Sequence, residues 1–373
     1  MADQILKSTT LTSAAHQTLI SHRFKLGLQT TLILGLMLAL AGLFIFSLTF
    51  GSVEIPSRTV ITILLGNGDE VRTAYTTIVM KYRFPKAVTA MLAGAALAVS
   101  GLQMQTMFRN PLAGPFVLGI SSGASLGVAL LVLSSGAGVI GGALLPSRAL
   151  TSDTNLILAA IIGAGVVMTL VLFVAQAVPN STTLLIVGLM FGYLTSAIVS
   201  LLMYFSIAEQ IQAYVNWTFG SFSGVTRSQL NIFAPVILVS LVSSLLLSKP
   251  LNALLLGETY ARSMGLRIQI VRFCIVLSTA ILAGTVTAFC GPIAFLGIAV
   301  PHLTRMTFNT ADHRILMPAC MLMGAIVALI AAIIADLPGT SLVLPLNAVT
   351  SLIGAPIVII VILKRQNLHK SFG

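Results

Sequence analysis

Charged side chains are scarce in this 373-residue sequence: only 8% of the residues are Asp, Glu, Lys or Arg, whereas 57% are hydrophobic. Soluble domains average about 25% charged residues, so this chain has too few polar side chains to cover a surface that faces water. The apolar residues form continuous runs instead of alternating with polar ones. This pattern argues against a transmembrane β-barrel and favours membrane-spanning helices.

Motifs for ATP hydrolysis and metal-dependent catalysis are also missing. No Gly-Lys pair occurs, so the chain has no G-x-x-x-x-G-K-[ST] loop with which to hydrolyse ATP. There is no HExxH motif, and the one histidine in a predicted span, His302, has no second ligand nearby and is expected to hydrogen-bond near a helix end. We predict no catalytic residue, no metal site and no cofactor bound by this chain.

Cysteine is rare and basic clusters are short. The three cysteines, Cys274, Cys290 and Cys320, lie in predicted spans without a CxxC pair, so we interpret them as packing residues. The formal net charge of +11 comes from bases scattered over short loops, with no Lys/Arg-rich stretch. We therefore expect membrane lipid, and no nucleic acid, as a partner.

Ten apolar segments are predicted to form helices, most of them near the ~20 residues that a helix needs to cross the hydrocarbon core. They span 29–50, 86–107, 115–134, 155–178, 182–206, 230–248, 270–290, 293–304, 315–335 and 345–363. The eighth is too short to cross alone. The sequence predicts an all-α polytopic membrane protein of about ten transmembrane helices, with one transmembrane domain at 29–363 between tails at 1–28 and 364–373.

Basic residues are distributed unequally between the two sides. With the N-terminus inside, the cytoplasmic segments carry a net charge of +10 and the outer segments a net charge of +1. Because short cytoplasmic loops hold the excess of Lys and Arg, we predict that both termini are cytoplasmic.

One outer segment departs from this trend, because Lys81, Arg83 and Lys86 crowd the mouth of the second span. They are interpreted either as side chains that extend from a helix end to the interface or as a docking patch for an acidic partner outside the membrane. The sequence leaves both open.

The predicted spans contain almost no ionisable residues in their interiors, whereas ion-coupled carriers need such groups. A separate ATPase is therefore the expected source of energy. Two alternatives stay open: a facilitator that works alone, and an intramembrane hydrolase with Ser121 as nucleophile in the G-x-S-x-G match at 119–123.

Three groups of motifs resemble one transporter family. The first is YRFPK at 82–86, LAGAALAVSG at 92–101, MQTMFRNPLA at 104–113 and LGISSGA at 118–124. The second is LNALLLGE at 251–258 and ARSMG at 261–265. The third is GPIAFLG at 291–297, VPHLTR at 300–305, DHR at 312–314 and GAP at 354–356. Over 52–363 the sequence resembles the permeases of FecCD-type ABC importers for iron-siderophores, haem and vitamin B12.

The resemblance implies a function and a set of partners. The chain would be a multi-pass permease of the bacterial inner membrane that moves an iron or corrinoid chelate and does no covalent chemistry. It would work with a second permease subunit, identical or paralogous, with two ATPases that bind ATP and Mg²⁺, and with an extracytoplasmic substrate-binding protein.

The resemblance also implies roles for individual residues. A cytoplasmic coupling loop at about 249–269 would rest on the ATPase through Leu254, Leu255, Leu256, Gly257, Glu258, Ala261, Arg262 and Gly265. Its glycines are expected to interrupt helices, its three leucines to be exposed, and Glu258 and Arg262 to have the spacing of a helical ion pair.

At the outer face, Arg83 and Lys86 match positions that dock the binding protein, while Asp336 reverses the charge of a third basic position and puts that contact in doubt. The outer gate candidates are Trp217, Phe219 and Gly220, although a tryptophan at this position is more often an interfacial anchor than a gate.

Overall fold

The computed structural model describes residues 27–51, 53–67, 71–133, 153–177, 181–337 and 342–370. Within these ranges the chain is helical and contains no β-strand. Nearly all of the predicted N-terminal tail, 1–28, and the last three residues of the predicted C-terminal tail lie outside the described residues.

Helices account for most of the described chain, and we number them in chain order. They are α1 (Gly27–Thr49), α2 (Ser57–Leu64), α3 (Thr73–Met107), α4 (Ile120–Leu133), α5 (Asp153–Ala177), α6 (Ser181–Tyr204), α7 (Ala208–Thr218), α8 (Arg227–Leu245), α9 (Ser248–Leu255), α10 (Glu258–Ser263), α11 (Ile268–Cys290), α12 (Leu296–Phe308), α13 (His313–Ala335) and α14 (Leu346–Lys370).

The predicted all-α membrane architecture is confirmed. Seven of the described helices (α1, α3, α5, α6, α8, α11 and α13) are long and apolar enough to cross a membrane. The shorter apolar helices α4 and α14, together with the short helix α12, match the three remaining predicted segments. The helix at the eighth segment, α12, has 13 residues, which agrees with the expectation that it does not cross alone.

The second predicted span is much longer than its apolar core. Instead of beginning at 86, α3 runs without interruption from Thr73 to Met107, over 35 residues. At 1.5 Å per residue it is about 52 Å long, whereas the hydrocarbon core is about 30 Å thick. A π-helical stretch, Ile78–Arg83, lies where the helix leaves the predicted apolar segment.

Close packing of backbones positions α3 at the centre of the bundle. A Cβ on Gly94 would lie 2.1 Å from the carbonyl oxygen of Gly324 in α13, and one on Gly101 would lie 1.7 Å from that of Gly297 in α12. Association inside lipid gains no hydrophobic driving force, so this close approach stabilises the bundle through dispersion. These glycines let α3 contact α12 and α13 directly.

Candidate functional site

The predicted coupling loop forms a bent helical pair between α8 and α11. We call residues 248–267 the elbow. Gly257 (φ 116°) separates α9 from α10, and Gly265 (φ 87°) follows α10. Side chains other than hydrogen are strained at such angles, so the prediction that these two glycines interrupt the helices is confirmed.

The three successive leucines of the elbow do not all face outward. Leu254 is 5% exposed and belongs to the core, whereas Leu255 and Leu256 are 39% and 62% exposed. The expectation of three exposed leucines is therefore wrong for Leu254, because the helical turn of α9 directs that residue inward. Ala261 in α10 is also buried.

Glu258 forms an ion pair with the following span. Its carboxylate accepts a hydrogen bond from Arg272 Nη2 at 3.1 Å. Arg272 is a buried residue of α11, so this pair joins α10 to a membrane span, while Arg262, the partner expected from helical spacing, is exposed. A buried guanidinium without an acid nearby is costly, which explains why Glu258 turns toward α11.

The inner end of α3 contacts the elbow directly. Arg109 adopts a left-handed conformation (φ 49°) just after the helix ends, and its Nη2 donates to the carbonyl oxygen of Leu255 at 3.0 Å. A Cβ on Gly257 would lie 3.1 Å from the same guanidinium nitrogen. Glycine at 257 thus serves both the bend and the approach of Arg109.

Asn252 is a residue of the elbow that the sequence did not single out. Its amide nitrogen donates to Asp312 Oδ1 at 2.6 Å, and its oxygen accepts from the backbone N and from Nδ1 of His313, both at 2.8 Å. Burial raises the pKa of Asp312, but hydrogen bonds from the Arg314 amide and from Asn252 outweigh it and hold that pKa below its ordinary value. The carboxylate is thus ionised and anchors Asn252.

At the predicted outer face, Arg83 is bonded within the chain. Its Nη1 donates to the carbonyl oxygens of Leu48 and Thr49, each at 2.9 Å, and its Nη2 donates to that of Val53. A Cβ on Gly51 would lie 2.7 Å from Nη2, so glycine makes room for the guanidinium. Arg83 caps the carbonyl oxygens at the end of α1, where no helical donor is left.

Lys86 is also paired within the chain. Its Nζ forms an ion pair with Asp336, the residue that follows α13. The reversed charge at 336 therefore has a partner on this same chain. The two residues, together with Lys81 and Arg83, line an open cleft of about 580 Å³ at the outer ends of α1, α3 and α13.

The gate candidates lie in a tightly connected outer turn. Gly220 (φ 70°) turns the chain after Phe219, and the carbonyl oxygens of Thr218 and Phe219 accept hydrogen bonds from Asn347 Nδ2 and Asn347 N, both at 3.0 Å. Asn347 Oδ1 accepts from Ala294 N at 2.8 Å. One asparagine therefore fixes the turn of the gate candidates to the starts of α12 and α14.

Trp217 contacts this turn through its backbone. A Cβ on Gly291 would lie 2.6 Å from the carbonyl oxygen of Trp217, and the indole stacks on Tyr214 with ring centroids 6.4 Å apart. A small cavity of about 120 Å³ lies beside Trp217 and Gly220. These contacts are compatible with an anchor and with a gate.

His302 and the three cysteines lie away from the elbow and from the open cleft, and they pack or form hydrogen bonds. His302 Nε2 lies 2.7 Å from the carbonyl oxygen of Pro111, so His302 forms a hydrogen bond as expected, but from the interior of α12 and not near the end of that helix. Cys290 and Cys320 are buried and all three cysteines are free. Across the ranges that the structure describes, no three His, Cys, Asp or Glu side chains gather as metal ligands would.

Comparison with known proteins identifies the family. The model of the FecCD transport family matches residues 12–364, almost the whole chain. This chain belongs to the FecCD transport family. As a FecCD-family chain with seven apolar spans among its described residues, it is a multi-pass protein of the bacterial inner membrane, and its part in transport is that of a permease, not of an enzyme.

Individual relatives agree with this assignment. The vitamin B12 import system permease protein BtuC of Salmonella typhi is 38% identical over 286 residues, which are 77% of this chain and 83% of the relative. The BtuC protein of Salmonella choleraesuis is 37% identical over the same shares. A solved inward-facing structure of a metal-chelate type ABC transporter superposes with a TM-score of 0.77 at 28% identity, covering 90% of this chain and 99% of that one.

Proposed function

We propose that this chain is the permease of an ABC importer that brings a metal chelate, either a corrinoid or an iron-siderophore, across the inner membrane. The observation that supports it most is the FecCD match over nearly the whole chain. The BtuC relatives, which belong to vitamin B12 import systems, and the metal-chelate type transporter that shares the fold support a chelate as the substrate.

The elbow is the proposed contact for an ATPase subunit. Leu255 and Leu256 are exposed at the bend of the elbow. If both termini are cytoplasmic, this bend lies on the cytoplasmic side of the membrane, outside the lipid. Exposed apolar side chains at such a bend are typical of an interaction surface. Gly257, Glu258, Arg262 and Gly265 shape the bend, and Leu254 and Ala261 pack beneath it.

The elbow has three polar connections to the membrane spans. Arg109 joins it to α3, Asn252 joins it to α13, and Glu258 joins it to α11. In this proposal, the movement of two ATPases on nucleotide binding displaces the elbows of two permease subunits, and the spans respond by opening the path to one side or the other.

On the outer face, the proposed partner is a substrate-binding protein. Because Arg83 is bonded to α1 and Lys86 to Asp336, neither is a simple free cation. An acidic group of the partner would compete with Asp336 for Lys86 in the open cleft. Since this pair accounts for Asp336, the reversed charge at 336 gives no reason to prefer a paralogue over an identical copy as the second permease.

The decisive experiment is transport by a reconstituted complex. The chain is co-expressed with its ATPase and binding protein, and proteoliposomes are tested with radiolabelled cyanocobalamin and with a radioiron siderophore. ATP-dependent uptake of one probe is expected, and its identity separates the two substrate classes. Uptake by proteoliposomes that contain this chain alone, without ATP, would refute the proposal in favour of a facilitator.

The matched control uses the elbow itself. Leu256→Asp places a charge on the most exposed leucine of the elbow. It is expected to release the ATPase without unfolding the permease, because the side chain has few contacts inside the chain. Leu65→Asp, at a similarly exposed leucine that follows α2 in the predicted outer segment, is expected to leave the ATPase bound. Equal co-purification of the ATPase with both variants would refute the elbow as its contact.

A further inference from the structure

The inner half of α3 carries a polar side chain toward each of four other elements. Buried Gln103 bonds Ser278 and Thr279 of α11, at 3.1 and 3.0 Å. Gln105 bonds the Ile298 carbonyl oxygen and Arg305, both of α12. Thr106 contacts His313 of α13. Arg109, just after α3, donates to the Leu255 carbonyl oxygen of the elbow. Residues 90–101 in the middle of α3, by contrast, pack against α12 and α13 largely through glycine and alanine.

Asn252 connects this polar region to the elbow. Because its amide nitrogen donates to the Asp312 carboxylate, the amide oxygen must face His313, where it accepts from both the backbone N and Nδ1. Nδ1 is thus the protonated nitrogen, and Nε2 of the same ring lies 2.8 Å from Thr106 Oγ1. The side chains of Asn252, His313 and Thr106 form an unbroken path from α9, through the start of α13, to the inner end of α3.

We infer that Asn252 is a positioning residue for transport, which couples displacement of the elbow to movement of α3 and α13. The inference rests on the proposed function. Apolar contacts are non-directional, so packed surfaces slide past one another, whereas a hydrogen bond fixes the relative position of two groups. The path through His313 is buried at its Thr106 end and is fixed at its elbow end by the ionised carboxylate of Asp312.

Alternative connections are less suited to this task. Arg109 reaches the elbow through one bond from an exposed side chain to a backbone oxygen, which water can replace. The Glu258–Arg272 pair holds α10 to α11 and does not reach α3. Among these three contacts, that of Asn252 reaches α13 directly and α3 through His313.

The test measures solute transported per ATP hydrolysed by the assembled complex in proteoliposomes, with radiolabelled cyanocobalamin and a radioiron siderophore as probes. For Asn252→Ala we expect the complex to assemble and to hydrolyse ATP, while transport per ATP falls about tenfold, within the range of typical coupling between sites. The melting temperature of the complex is measured in parallel, because a merely structural role would lower it without changing the transport ratio.

A matched pair on one helix keeps the test decisive if Asn252→Ala does not assemble. Thr106→Val removes the hydroxyl that contacts His313, whereas Thr89→Val removes a buried hydroxyl of the same helix that has no hydrogen-bond partner among the described residues. We expect transport per ATP to fall several-fold for Thr106→Val and to stay at the parental value for Thr89→Val.

Two results overturn the inference in different ways. Equal transport per ATP for the two threonine variants refutes the role of the Asn252 path while leaving the importer intact. Failure of the parental complex to import either probe refutes the proposed function, and the inference with it.

Discussion

Substitution of Gly94 by alanine tests the packing on which the whole bundle depends. Gly94 lies at the contact of α3 with α13, where its added Cβ would lie 2.1 Å from the Gly324 carbonyl oxygen and 2.5 Å from the Ala328 Cβ. Real Cβ atoms keep at least 3.0 Å, so the first contact is about 0.9 Å too short. The obstructing atoms belong to backbone and to a short side chain, so neither can rotate away.

The expected cost follows from that geometry. The two helices must separate by close to the missing distance, which loosens the contacts of the neighbouring residues along both helices. Overpacking of a well-packed interior costs typically 1–3 kcal/mol and occasionally more. Because the clash involves backbone on both sides, we expect Gly94→Ala to lie at the upper end, about 3 kcal/mol, and to lower the melting temperature of the detergent-solubilised protein.

The control is another helical glycine with open surroundings. A Cβ on Gly165 in α5 would meet nothing within 4 Å. Gly165→Ala is therefore expected to leave stability unchanged or to raise it by up to about 1 kcal/mol, since alanine favours the helix over glycine. If thermal unfolding followed by intrinsic fluorescence showed the same midpoint for both variants, the packing of α3 against α13 described above would be incorrect.

Three further predictions concern the two faces. Lys86→Asp should lower the free energy of unfolding by about 1 kcal/mol, because it places two acids together, and adding Asp336→Lys should restore it. Thermal unfolding of the single and double variants measures both effects, and a double variant no more stable than the single one would contradict the ion pair. Gly257→Ala should lower the free energy of unfolding by about 1–3 kcal/mol, because the backbone conformation at 257 suits only glycine. Co-purification should also show weaker ATPase binding, and unchanged binding would contradict the role of the bend. The depressed pKa of Asp312 means that its stabilisation is complete at neutral pH and is lost as the pH falls through a folded-state pKa below the ordinary 3.8. Asp312→Asn should therefore flatten the acid side of the profile of melting temperature against pH, and an unchanged profile would argue against the anchored carboxylate.

The number and type of the spans were predictable because hydropathy is a local property of the sequence. The same reasoning set the start of the second span too late, at 86, because residues 73–83 include Lys81 and Arg83 and fall outside an apolar window. A helix that continues into water keeps its backbone hydrogen bonds, so its length is not limited by the membrane. The short helices α2 and α7 were missed for the same reason, since they are not apolar runs.

The site was predictable where a residue acts through its own backbone. Gly257 and Gly265 were expected to break helices, and they do, because the permitted conformations of glycine are local. Lys86 and Asp336, by contrast, are 250 positions apart, and no sequence pattern pairs them. The bonds of Asn252 to Asp312 and His313 were not predicted either, although an amide side chain in an apolar helix often indicates an interhelical hydrogen bond.

The length of α3 has a consequence for signalling across the membrane. Lys86, beside the outer cleft, and Thr106, beside the elbow, belong to one uninterrupted rod and are separated by about 30 Å along its axis. A rigid tilt of this helix about its middle would move its two ends in opposite directions. We therefore expect a displacement of α3 beside Lys86 to be accompanied by a displacement of its other end beside the elbow.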